Sequence, residues 1–194
     1  MNVTAGILVG GHSRRMGRPK GLLRVDGVTL LERTAAVARE VAGRVVLLGR
    51  PPFELPAGVA GLEILEDAQA GVGPLAGLVS LMAACGARPA VLLACDLPRL
   101  EAGLIGRLLG EAGGDVDAVV YATGEPPRGW EPCCSVYLPG CAPVAAGRMA
   151  RGEYSLVGLL EAVRTRTVRA SDDEAAKLAN LNRPEDVAAL EAGE

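Results

Sequence analysis

His12 is the lone histidine in a chain of 194 residues. That scarcity removes the Ser-His-Asp and Cys-His catalytic arrangements, together with zinc catalysis built on histidine. Beside a glycine turn a lone histidine reads as a solvated loop residue, and His12 takes no role. Aromatic residues are also rare, at 3% against 49% hydrophobic overall, so the core must be Val, Leu, Ile and Ala. Closely packed α/β layers suit that composition better than a β-sandwich, which draws on Tyr, Phe and Trp. The five cysteines, Cys85, Cys95, Cys133, Cys134 and Cys141, are odd in number and form no C-x-x-C pair. A disulfide framework and a zinc site of usual spacing are therefore excluded, and the thiols read as small core residues in a reducing compartment. No apolar run approaches the ~20 residues needed to span a bilayer. The first such run, Ala5–Val9, also precedes the positive charges instead of following them as in a signal peptide. The expectation is a cytoplasmic protein with no membrane partner.

Acidic residues are missing from one region in particular. Between Met1 and Val25 there is no Asp or Glu, while Arg14, Arg15, Arg18, Lys20 and Arg24 fall within eleven positions. The chain as a whole carries a formal charge of −3, which argues against a nucleic-acid partner. A basic cluster on an acidic protein points to a local anion site, with a solvated basic loop as the alternative. Length and the lack of any low-complexity stretch imply one domain over 1–194.

Hydrophobic patterning predicts alternating strands and helices. Val3–Val9 reads as a buried strand ending at Gly10-Gly11, and Asp26-Gly27 reads as a tight turn between Leu22–Val25 and Val28. A helix is expected over Thr29–Ala42, with Thr29 as N-cap. Strands follow at Val45–Leu48 and Leu62–Leu65, then a helix over Leu75–Cys85 and the buried strand Ala90–Ala94. Further helices are expected at Leu104–Ala112, Ala142–Ala150, Leu156–Val163 and from Pro184 to about Ala192. The remaining strands are Ala118–Tyr121, Ser135–Leu138 and Thr167–Ala170. Such alternation implies a mainly parallel sheet with helices on both faces. Ligands of such sheets sit beyond the carboxyl ends of the strands, where Gly10-Gly11, Asp67 and Asp96 all fall.

Gly10 and Gly11 would let backbone N–H groups approach a triphosphate with no Cβ between. Arg15 and Lys20 would neutralise phosphate charge during transfer. Neither the Walker pattern nor G-x-G-x-x-G is present. Asp96 ends the most apolar strand, where a carboxylate needs a cation or hydrogen bonds. A Mg²⁺ shared with substrate phosphates would supply the first, and capping of the turn before Pro98 is the alternative. Asp67 reads either as a nucleotide contact or as a surface turn residue.

The opening Gly10-Gly11-x-Ser13-x-Arg15-Met16-Gly17-x-x-Lys20 with Leu22-Leu23 resembles that of the molybdenum cofactor guanylyltransferase (MobA) family. So do Glu66-Asp67, Gly73-Pro74-Leu75-Ala76-Gly77, Cys95-Asp96-Leu97-Pro98, Glu131-Pro132 with Val136-Tyr137, and Asn180-Leu181-Asn182-Arg183-Pro184-Glu185-Asp186. The opening is shared by many nucleotidyltransferases, and the Gly73–Gly77 and Asn180–Asp186 segments narrow the match. The resemblance implies a Rossmann-like nucleotidyltransferase fold. It also implies transfer of GMP from Mg²⁺-bound GTP to the terminal phosphate of molybdopterin. By position, Leu8, Val9, Gly10, Gly11 and Lys20 would bind GTP, Arg15 would face the phosphates, and Asp67 would contact the nucleotide. Asp96 would carry the metal, Gly73 and Gly77 would shape the nucleotide side, and Asn180 and Asn182 would face the pterin. Molybdoenzymes or cofactor-insertion proteins would be the protein partners. Two positions depart from the family pattern. Val9 stands where Ala is usual, and Leu47-Leu48-Gly49 stands where a polar residue, commonly Asn, often ends the second strand. The competing readings are a molybdopterin cytidylyltransferase, a sugar- or polyol-phosphate nucleotidyltransferase, and a non-catalytic module for nucleotide binding or cofactor delivery.

Overall fold

A computed structural model of the chain describes residues 2–9, 19–126 and 128–181. The chain runs β1 (Thr4–Leu8), a 3₁₀ turn (Lys20–Leu22), β2 (Arg24–Val25), β3 (Val28–Thr29), α1 (Leu30–Val41), β4 (Arg44–Leu48) and β5 (Glu63–Leu65). It continues through α2 (Pro74–Cys85), β6 (Ala90–Ala94), α3 (Ala102–Gly110), β7 (Ala118–Ala122) and β8 (Trp130–Tyr137). Last come α4 (Cys141–Ala150), α5 (Leu156–Ala162), β9 (Thr165–Arg169) and α6 (Asp172–Lys177). Among the described residues the main sheet has seven strands in the order β5-β4-β1-β6-β8-β7-β9, and β2 and β3 form a separate hairpin. β8 is antiparallel to both its neighbours, β6 and β7, and the other pairings in the main sheet are parallel. No helix among the described residues is long and apolar enough to cross a membrane.

Local chemistry accounts for most boundaries. The β2–β3 turn places Asp26 at φ 52° and Gly27 at φ 78°, the pair of positive φ values that a tight hairpin turn demands. α1 starts where Thr29 accepts from the Glu32 N–H and Glu32 returns a bond to the Thr29 N–H. That reciprocal cap satisfies two otherwise orphaned donors. In β1, a Cβ on Gly6 would lie 2.7 Å from both Leu48 Cδ1 and Leu81 Cδ2. A side chain there would push both buried leucines aside, so glycine lets α2 pack closely over the middle of the strand.

Two elements differ from the sequence expectation. β8 begins at Trp130, five residues before the Ser135 expected, and so contains Pro132. Proline donates no ladder bond. It is tolerated because the β6 pairing covers only Cys134 to Tyr137 and the β7 ladder shifts register between Val120 and Ala122. α6 was not expected at all: it buries no residue of its own and depends on the Ser171–Glu174 capping box. The helix expected from Pro184 lies outside the described residues.

The period-2 alternation of each strand sorts side chains to opposite faces. Ala5, Ile7, Leu47, Val91 and Leu93 pack with Leu31, Ala35 and Ala38 of α1 and Leu104, Ile105 and Leu108 of α3. Val46, Leu48, Ala90 and Leu92 pack on the other face with Leu75, Leu78 and Leu81 of α2, Ala145 of α4 and Leu159 and Leu160 of α5. Each fully buried Leu contributes roughly 1.5–3 kcal/mol. Both faces are covered, which is what the buried runs in β1 and β6 require. The chain moves outward from β1 to β4 and β5, then returns to the other side of β1 as β6. Such a reversal is where an α/β sheet places its ligand crevice, here beyond Leu8 and Ala94, which are register partners at the two strand ends.

Candidate active site

Lys20 and Asp96 meet at this crevice. Asp96 lies two residues past the end of β6, on a loop held down by Leu97 and Leu100, both of which are in the core. Lys20 opens the 3₁₀ turn that leads to the hairpin. Its Nζ donates to Asp96 Oδ2 at 2.8 Å, and the two side chains are only 20% and 18% exposed. An ammonium and a carboxylate so placed lose much of their hydration, so each depends on charged partners.

Asp67 lies just past β5 and is half-buried. Gly49, at φ 82°, would bring a Cβ within 3.1 Å of Asp67 Oδ2, and Gly77 of α2 would bring one within 3.2 Å of Oδ1. The two glycines thus form a notch in which the carboxylate is seated. Gly49 carries no side chain, so the carboxylate approaches bare backbone there. Burial raises the Asp67 pKa, and no neighbouring charge or hydrogen bond among the described residues acts against it. Gly73, at φ 101°, precedes Pro74 at the first turn of α2, a backbone geometry that side chains oppose.

The Asp67 environment predicts a pH signature. The folded-state pKa is raised above the unfolded value, so ionised Asp67 opposes folding above both values and has no effect below ~3.9, the unfolded value. Asp67→Asn is expected to raise the melting temperature of the ligand-free protein at neutral pH, with the gain fading on acidification. Thermal melts across pH check this, and a gain independent of pH would contradict it.

Glu131 was quoted in a sequence motif but given no role. It sits at the start of β8, half-buried, where the Thr123 hydroxyl donates to its Oε1 at 2.9 Å. Burial pushes its pKa up; the Thr123 bond opposes that shift, and the charge of Asp96 adds to it. β8 runs antiparallel to β6 with Leu93 opposite Cys134, so its start returns to the end of β6 that carries Asp96. Only the antiparallel pairing brings these two carboxylates together, and no spacing in the sequence signals it.

A divalent cation suits this donor set. Among the described residues no group of three or more His, Cys, Asp and Glu could hold a metal, so there is no closed protein cage. Asp96, with Glu131 nearby, offers hard oxygen donors. One or two carboxylates completed by substrate phosphates is the usual arrangement for Mg²⁺. The thiols are unsuited to the chemistry: all five are free, and burial pushes Cys95, Cys133, Cys134 and Cys141 up to about 12. Cys95 and Cys133, beside the site, are therefore packing groups and not nucleophiles.

The other expected residues are distributed as follows. The Leu8 side chain packs towards Gly77. Val9 is buried and its N–H donates to the Leu48 carbonyl at 3.1 Å. Asn180 is exposed and directly precedes Leu181, whose N–H donates to the Asp96 carbonyl at 2.9 Å. Gly10, Gly11, Arg15 and Asn182 lie outside the described residues.

Known proteins resemble the chain over most of its length. Residues 5–170 match the family model of a MobA-like NTP transferase domain. A probable molybdenum cofactor guanylyltransferase of Opitutus terrae is 36% identical, covering 93% of this chain and 90% of its own. A probable molybdenum cofactor guanylyltransferase of Synechococcus elongatus is 34% identical over 98% and 99% of the two chains. The crystal structure of molybdopterin-guanine dinucleotide biosynthesis protein A from Archaeoglobus fulgidus superposes with a TM-score of 0.78 at 23% identity, covering 97% of each chain.

Proposed function

The chain belongs to the MobA-like NTP transferase family, and on that premise we propose that it transfers GMP from GTP to the terminal phosphate of molybdopterin, releasing pyrophosphate. The observation that carries the reading is Lys20 Nζ at 2.8 Å from Asp96 Oδ2 in the crevice beyond β1 and β6. One cation and one metal-type carboxylate converge where an α/β sheet binds its ligands. We take residues 1–194 as one nucleotidyltransferase domain, with Mg²⁺ as the divalent cation that nucleotidyl transfer in this family requires. Free thiols throughout favour the cytoplasm as its setting, and molybdoenzymes or cofactor-insertion proteins would take the product.

In this mechanism Lys20 exchanges part of its interaction with Asp96 for phosphate oxygens as the triphosphate enters. The ammonium then offsets charge on the leaving pyrophosphate. Arg15 and the Gly10-Gly11 amides would add to the same field, with Leu8 and Val9 lining the approach. Asp96 would hold the cation, and Glu131 would offer a second oxygen ligand. A bound Mg²⁺ would supply charge neutralisation and orient the α-phosphate. An oxygen of the acceptor phosphate attacks the α-phosphorus as the bond to the β-phosphate oxygen breaks. That nucleophile is already ionised at neutral pH, so no general base is needed, consistent with the absence of a histidine in that role. Asn180 and Asn182 would hold the pterin end of the acceptor.

Asp67 favours guanine over the pyrimidines. Its carboxylate, in the notch between Gly49 and Gly77, needs hydrogen-bond donors. Guanine presents an N1–H beside an exocyclic amine, whereas cytosine presents acceptors around a single amine. Gly73 and Gly77 keep the wall of that side low. A pyrophosphate-release assay with molybdopterin, Mg²⁺ and each of GTP, CTP and UTP tests the whole reading. Release with GTP alone is expected; release with CTP alone would make the protein a cytidylyltransferase. Thermal stabilisation by GTP with no pyrophosphate released would make it a binding module.

A further inference from the structure

Leu181 bonds the Asp96 backbone directly and reaches the Lys20 backbone through Leu23. Its N–H donates to the Asp96 carbonyl at 2.9 Å. Its side chain, 4% exposed, completes a small core with Leu23, Val25 and Leu30 that is separate from the cores on the two sheet faces. Leu23 in turn donates its N–H to the Lys20 carbonyl at 3.0 Å and accepts from Leu30 at 2.9 Å. One residue therefore connects the backbone of the Asp96 loop to the hairpin core that follows the Lys20 turn.

The approach of this segment is fixed from behind. Leu178 is buried in the same core as Leu97, Leu100 and Leu104. Lys177 Nζ meets Glu101 Oε2 at 3.0 Å, and Glu174 pairs with Arg107 of α3. α6 is thereby tied to α3, and the chain leaving it reaches the crevice at a defined height. The exposed Asn180 lies one residue before the contact.

We infer that Leu181 is a positioning residue that sets the separation of Lys20 and Asp96, acting through the Leu23–Leu30 hairpin core and the Asp96 carbonyl. This rests on the proposed transfer reaction, and it adds a coupling. A ligand seated at Asn180 on the acceptor side restrains Leu181, and through it both groups on the nucleotide side. Acceptor binding therefore orders the pair that acts on the triphosphate.

The test is steady-state pyrophosphate release with GTP, Mg²⁺ and molybdopterin for Leu181→Ala, Leu181→Met, Lys20→Ala and the Leu181→Ala/Lys20→Ala double variant. Displacement of reacting groups by about 1 Å costs up to ~10²-fold. Leu181→Ala is accordingly expected to lose roughly 10- to 10²-fold in kcat with the GTP KM little changed, and Leu181→Met to recover most of it. In the Lys20→Ala background the Leu181 change is expected to cost far less, because the group it positions is gone. A lowered melting temperature with kcat within about two-fold of the parent, or losses that multiply in the double variant, would overturn the inference. Should Leu181→Ala not fold, Val25→Ala probes the same small core from the hairpin side; the same kcat loss supports the inference, and an unchanged kcat overturns it. Absence of pyrophosphate from the unmutated protein would instead reject the transfer reaction itself.

Discussion

Asp96→Ala is expected to abolish pyrophosphate release while leaving the protein folded. The carboxylate stands on a loop whose position comes from Leu97 and Leu100 in the core and from the backbone bond to Leu181, not from its own side chain. Removing it takes away the proposed principal oxygen ligand of the divalent cation and the Oδ2 partner of Lys20. Glu131 cannot compensate, because its Oε1 accepts from Thr123 and it stands on a different strand. Asp96→Asn separates charge from shape: it preserves the outline and a neutral oxygen but not the negative charge, and is expected to be nearly as inactive. The readouts are single-turnover pyrophosphate release and Mn²⁺ binding followed by electron paramagnetic resonance. Turnover near the parent rate in either variant would remove Asp96 from the mechanism.

Lys20→Ala is expected to lose at least ~10²-fold in kcat, the order found when one donor to developing charge is removed from a preorganised site. The size follows from where the ammonium lies. At 20% exposure it acts in a region partly closed to water, where a unit charge is felt more strongly than in bulk solvent. The substitution also leaves Asp96 without this partner and facing an anionic triphosphate, so GTP binding measured without metal should weaken as well. Lys20→Arg retains the charge but not the compact head group, and is expected to recover only part of the rate. A Lys20→Ala enzyme within a few-fold of the parent would mean that the ion pair is structural.

Much of the frame was legible residue by residue. The Asp26-Gly27 turn, the Thr29 cap and the Ala90–Ala94 strand each depend on a few neighbours in sequence, and each lies within two residues of its expected position. The half of the site built on β6 was readable for the same reason, since an acidic residue directly after a buried apolar strand is an electrostatic problem visible in one line of sequence. β8 was harder. Pro132 argues against a strand, and it is accommodated because the β6 ladder stops at Cys134 and the β7 ladder shifts register. Glu131 was passed over because its significance comes from Asp96 on another strand. Leu181 carries no signal of its own between two asparagines, yet it fills the hairpin core.

Taken alone, the order of residues determined what near neighbours decide: which segments are strands or helices, where glycine and proline end them, and that the basic opening segment and Asp96 suit phosphate chemistry. Tertiary structure alone decided which of these groups meet. Lys20 and Asp96 are 76 positions apart, and their contact depends on the chain reversing at β1 and on Leu181 returning to join the two loops. Backbone sterics and hydrogen bonds act over a few residues and leave a pattern in sequence, whereas the closure of a crevice is set by the packing of a whole sheet, to which every strand contributes and which no single segment records.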